Sequence, residues 1–248
     1  MLYPVLKAIL KPTVLPLYRC KATGIENIPA EGGVIIASNH LSWTDWIFMP
    51  LTLRRRVSFL AKSDYFTEPG VKGRLKRFFF EGTGQVPVDR SGGEASEAAL
   101  RTGLRILRDG GVLGIYPEGT RSHDGRLYRG KTGPARMALE AGVPVVPVAM
   151  VGVFEIAPPG TKVPRLSKVE VRFGKPLDFS RYAGMQDDRF VLRSMTDEIM
   201  YEIMQLSGQE YVDVYATKAK ADASAARKAA RDAAATVELD RERERAAA

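Results

Sequence analysis

The residues best suited to proton transfer are His40 and Asp45, in the stretch SNHLSWTDW from Ser38 to Trp46. His40 is one of only two histidines in the chain, so few side chains compete for that role. Imidazole has an unperturbed pKa of about 6.5, which suits a general base near neutral pH. A carboxylate on its other ring nitrogen would fix the tautomer and stabilise the imidazolium that forms. A tight turn can bring residues at this spacing together. The same letters also carry a plain structural meaning. Ser42-Trp-Thr-Asp45 fits the capping-box pattern ahead of the apolar run Trp46 to Leu51, which would make Asp45 a helix cap and His40 a loop residue. Taken alone, the stretch accommodates both readings.

If His40 is a base, a covalent mechanism would also need a nucleophile. No Gly-x-Ser-x-Gly elbow occurs, and the single cysteine, Cys20, has no catalytic context. That favours a base acting on a substrate hydroxyl. Two other stretches supply polar groups directly after apolar runs. In YPEGTRS, Tyr116 to Ser122, Pro117 and Gly119 impose a turn that presents Glu118 and Arg121. Arginine suits bidentate binding of a phosphate, although a surface turn with a local Glu–Arg pair has the same composition. GQVPVDRSGG, Gly84 to Gly93, delivers Arg90 without the Gly-Lys-Ser/Thr of a nucleotide-binding loop.

These residues need strand ends to hold them. Short apolar runs predict strands at Gly33–Ala37, Val57–Ala61, Gly84–Val88, Val112–Tyr116 and Val169–Phe173. Val143–Val151 is another, and its prolines point to an edge or an irregular stretch. Helical patterns at 93–109, 131–141 and 187–206 separate them. Strands alternating with helices predict an α/β domain with a central mixed or mostly parallel sheet, its reactive loops at strand ends.

The formal net charge is +8, and residues 1–90 hold 13 Lys+Arg against 7 Asp+Glu, so the excess is concentrated early. Anionic partners are implied. Lys72, Arg74, Lys76 and Arg77 run into Phe78, Phe79 and Phe80, which suits a membrane interface; a solvated basic face followed by a buried strand is the plainer alternative. Nucleic acid is disfavoured, since no recognised motif or stacking aromatics accompany the basic segments. Met1–Arg19 is apolar but broken by Pro4, Pro12 and Pro16, too interrupted for a signal peptide. It reads as a segment lying in a membrane plane, or as a helix covering one edge of the domain. The organisation expected is an N-terminal segment 1–19, a domain 20–215, and an alanine-rich charged tail 216–248, helical or frayed. One cysteine argues for a reducing compartment, and with His40 and His123 it cannot form the usual structural zinc sites.

Four stretches together resemble the glycerolipid acyltransferases that include lysophosphatidic acid acyltransferase. NHLSWTD is similar to that family's His-x4-Asp block, GQVPVDR to its second, YPEGTRS to its third and VVPVA to its fourth, in order and at ordinary spacings. Lys62, in FLAKSDYF, resembles the lysine between the first two blocks. The resemblance implies a glycerol-3-phosphate acyltransferase-like fold and transfer of an acyl chain from acyl-CoA or acyl-carrier protein to the sn-2 hydroxyl of lysophosphatidic acid. His40 would be the base and Asp45 its orienter. Lys62, Arg90, Glu118, Gly119, Thr120 and Arg121 would bind the acceptor, and Val145 to Ala149 would shape the donor side. No metal or prosthetic cofactor is implied, and the expected place is the cytoplasmic face of the cell membrane, at a surface with anionic lipid. Pro87 and Val88 stand where the second block often has larger residues, which bears on acceptor selectivity. Another lysophospholipid or a lipid-linked sugar as acceptor, or a non-catalytic lipid-binding role, are the alternatives.

Overall fold

The structure, a computed structural model, describes residues 2–88, 95–161 and 163–247. The chain opens with helix α1 (Leu2–Leu17), strands β1 (Lys21–Thr23) and β2 (Val34–Ser38), then α2 (Asp45–Thr52), β3 (Val57–Lys62), α3 (Asp64–Thr67), α4 (Gly70–Gly82) and β4 (Gln85–Val88). It continues through α5 (Ala95–Arg108), β5 (Val112–Ile115), β6 (Leu127–Tyr128), α6 (Gly133–Ala141), β7 (Val145–Val151), α7 (Val153–Ile156) and β8 (Glu170–Phe173). Helix α8 (Arg189–Ser207), β9 (Tyr211–Val212) and α9 (Ala216–Ala247) complete it.

Seven strands form one sheet in the order β1-β8-β7-β2-β5-β3-β4. Strands β2, β3, β4, β5 and β7 run parallel, and β8 pairs antiparallel to β7. Strand β2 lies between β5 and β7, and all five of its residues are buried. A continuous apolar run is what a strand covered on both faces requires. Its alternation divides the core: Val34 and Ile36 join the cluster with Phe48, Met49 and Phe59, whereas Ile35 and Ala37 join Leu104, Leu107, Met195 and Ile199 of α5 and α8. The sheet is therefore sandwiched, and the expected α/β architecture holds.

Two expectations are corrected. Strand β7 is internal despite Pro144 and Pro147. Pro147 sits where the ladder to β8 has given way to a single Gly174 N–H donated to the Pro147 carbonyl, so its missing N–H leaves no partner unsatisfied. Phe78 to Phe80 belong not to a buried strand but to α4, whose Val71, Leu75, Phe78 and Phe79 face solvent. Helix α1 persists through Pro12 and Pro16 and is tied to the domain by the Lys7 ammonium on the Leu53 carbonyl. It packs Val14 and Leu15 on the core and leaves Val5 and Ile9 outward. No helix among the described residues is long and apolar enough to cross a membrane.

Candidate active site

Parallel strands send their carboxyl ends to one edge of the sheet, where α/β domains build their sites. His40 follows β2, and the turn from Tyr116 follows its neighbour β5. Lys62 closes β3 at the same edge, but its side chain lies outside the described set, as does all of Arg90.

His40 and Asp45 meet as a pair. Asp45 Oδ2 lies 2.8 Å from His40 Nδ1 and also accepts the Leu41 and Ser42 amides at 2.8 and 3.0 Å. A hydrogen on Nδ1 completes the set of donors on that oxygen and leaves Nε2 to accept. Asp45 is fully buried and the His40 side chain is 20% exposed, which keeps the carboxyl group dry and the imidazole reachable. The pairing with His40 forms as the spacing allows, and the capping reading of Asp45 holds in part. Asp45 reaches back to the Ser42 amide as a capping box would, but Ser42 Oγ takes the Thr44 amide at 3.1 Å and donates to the Ala157 carbonyl, so the box closes only by half.

The second stretch is fastened to the first through peptide groups. Glu118, 1% exposed, accepts the His40 amide on Oε1 at 2.9 Å and the Tyr128 amide on Oε2 at 3.0 Å. Burial pushes its carboxyl up to about 8, against those two bonds, with the Asp45 and Asp124 charges adding to the rise. The Ser122 amide donates to the His40 carbonyl at 2.8 Å. His40 is therefore gripped at both peptide groups by one turn. Gly119, at φ +74°, lets that turn close. Thr120 is half-exposed and Arg121 exposed, and Arg121 makes no ion pair among the described residues.

Sequence reasoning passed over two contributors. The Tyr116 ring stacks on His40, with centroids 3.9 Å apart and planes at 12°, and Phe59 stacks behind it at 5.8 Å. Gly114 makes room, since a Cβ there would lie 2.4 Å from the Phe59 ring; a glycine inside a strand was the available signal. Asn39 is buried and exchanges two hydrogen bonds with the Met150 backbone, at 2.8 and 3.0 Å, which pins the start of the His40 loop to β7. Burial pushes the Cys20 thiol up to about 11 and keeps it protonated, unsuited to nucleophilic attack. His123 is half-buried against the Tyr128 ring rather than free on the surface. Trp43 donates to the Thr161 carbonyl, Trp46 packs edge-on to Phe79, and both lean on the core beneath the sheet.

A family model described as Acyltransferase matches residues 19–151, more than half of the chain. The chain belongs to the acyltransferase family. The matched span holds both fastened loops and ends with β7. Among similar proteins named 1-acyl-sn-glycerol-3-phosphate acyltransferase, one from Bacillus subtilis is 29% identical over 74% of this chain and 86% of its own. A chloroplast enzyme of that name from Arabidopsis thaliana is 30% identical over 68% of this chain and 46% of its own. The chain thus spans less than half the length of that relative and of its Brassica napus counterpart. The crystal structure of the 1-acyl-sn-glycerophosphate acyltransferase PlsC from Thermotoga maritima shares this family member's fold. It aligns over 82% of both chains at a TM-score of 0.59 and 24% identity.

Proposed function

We propose that this chain transfers an acyl group from acyl-CoA or acyl-carrier protein to the sn-2 hydroxyl of 1-acylglycerol 3-phosphate, giving phosphatidic acid. The observation that carries the reading is the His40–Asp45 pair locked by backbone bonds to the turn that presents Arg121. The hydroxyl oxygen attacks the thioester carbonyl carbon while its proton passes to His40 Nε2. Asp45 holds the imidazolium as it forms. The C–S bond then breaks, the proton returns to the leaving thiolate, and the products are an ester and a free thiol. The thioester is already activated, so the step draws on side chains alone. Arg121, with Lys62 and Arg90, holds the acceptor phosphate, and Glu118 and Gly119 shape the turn that presents it. The relatives' shared name supports this acceptor.

In this reading the protein works at a membrane surface. Outward apolar side chains of α1 and α4 flank a groove formed by Leu6, Leu75, Phe78 and Phe79, with Lys72 and Lys76 beside it. Aromatic rings below cationic amino groups match the order of an anionic lipid interface. The test is release of free thiol from acyl-CoA across a panel of lysolipids, with product mass. Turnover is expected with lysophosphatidic acid and should fall by about 10²–10⁴ in His40→Ala with the fold intact. Undiminished turnover by that variant would sink the mechanism.

A further inference from the structure

Lys131 has no part in the site as described so far. Its amide donates to the Pro117 carbonyl at 2.8 Å, which seats residue 131 at the foot of the turn carrying Glu118 to Arg121. Its side chain then runs along Gly119. A Cβ built on Gly119 would lie 3.0 Å from Lys131 Cε and 3.2 Å from Nζ, so the ammonium rests over the middle of the turn. The two ends of that turn, Glu118 and Ser122, are the groups that hold His40.

The cations of this molecule fall into two groups, those paired with an acid and those without one. Arg126, Arg136, Arg172 and Arg193 each sit against a carboxylate. Lys131 is exposed and, like Arg121, makes no ion pair among the described residues. The turn's own acid, Glu118, is buried beneath them with an N–H on each oxygen. The turn that holds His40 by its peptide groups therefore presents one unpaired cation, Arg121, and has a second, Lys131, laid along it.

We propose that Lys131 is a second cation for the acceptor phosphate, acting with Arg121, and that the two select a phosphate monoester over a diester. This deepens the acceptor reading above and rests on it. A monoester carries about −1.5 to −2 at pH 7, its second pKa near 6, whereas a diester carries a single charge. Arginine offers a fixed fork; lysine adds a mobile point charge on a flexible stem, able to follow the phosphate as it enters. Gly119 is what lets the stem lie so close to the turn.

The experiment compares wild type with Lys131→Met, which keeps most of the stem, and Lys131→Arg, which keeps the charge. For lysophosphatidic acid, KM should rise about tenfold in the Met variant with kcat within about twofold, and the Arg variant should recover most of the loss. For lysophosphatidylglycerol, a diester, the Met variant should match wild type. Wild-type KM for the monoester should fall as pH rises through about 6, and the Met variant should lose most of that dependence. An unchanged KM, or equal losses for both acceptors, overturns the proposal. Calorimetric titration of glycerol 3-phosphate separates this idea from the acceptor reading. Wild type should bind about tenfold more tightly than the Met variant, and equal or undetectable binding overturns the role of Lys131. The same binding difference without wild-type turnover of lysophosphatidic acid would instead overturn only the acceptor reading.

Discussion

Two faces of the molecule are built by opposite rules. At the rim, Asp45 and Glu118 are buried and every contact they make is to a fixed partner, mostly peptide N–H groups. On α4, Val71, Leu75 and Phe78 are 74%, 68% and 58% exposed, large apolar groups with water as their neighbour. A site that must hold an imidazole in one orientation needs directional bonds in a dry setting, where a lost partner is expensive. A face that meets lipid needs apolar area and mobility, and gains little from fixed geometry.

The largest test of that contrast is Asp45→Ala. It removes the one oxygen on which three donors converge, so the imidazole should lose its tautomer and orientation. Turnover should fall by about 10³–10⁴, read as kcat with the fold checked by circular dichroism. A loss confined to KM would break the comparison, because the carboxylate would then be serving binding. Glu118→Gln comes next. One of its two N–H partners must face an amide NH₂, at about 1–3 kcal/mol in stability by denaturant titration. The pH dependence sharpens it. The carboxyl is raised from 4.5 to about 8, so the fold holds a proton that the unfolded chain has released between those values. The contribution of Glu118 to wild-type stability should therefore be fully present below pH 4.5 and be lost as pH climbs from there through 8. Glu118→Gln should flatten that slope, and its deficit should shrink as pH rises. A deficit that grows with pH would show the carboxylate, not the acid, to be the stable form in the fold.

The smallest effect on the fold belongs to the outer face. Phe78→Ser with Leu75→Ser should leave thermal stability unchanged and lower partitioning onto anionic liposomes about tenfold or more, since each side chain forfeits roughly 1.5–3 kcal/mol of transfer. Turnover of water-soluble short-chain substrates should stay at the wild-type level. Loss of stability instead would mean that this face serves the core.

How far these faces were legible in the sequence differs for a physical reason. His40 and Asp45 lie within one turn, so their spacing carried the pairing, and the motifs after each strand marked the rim. Glu118 was expected to face substrate. Its partners are the His40 and Tyr128 amides, set by β2 and β5 being neighbours, and strand order is not written in local pattern. The Tyr116 stack on His40 was hidden for the same cause. On α4, a basic run followed by three phenylalanines has too little periodicity to separate strand from helix. Its exposure follows from packing beside α1, a contact across more than sixty residues. Pro147 misled because proline's restriction applies to one side of a strand only.

The bonds that lace the His40 loop to the Glu118–Ser122 turn end largely on peptide groups: the His40 amide, the His40 carbonyl, the Tyr128 amide and the Ser122 amide. Every amino acid but proline carries those groups. Residues 120 and 121, which contribute no bond to the lacing, can therefore be exchanged without unseating His40. In this architecture the exposed part of the turn is free to vary while the bonds that hold the histidine's backbone stay as they are.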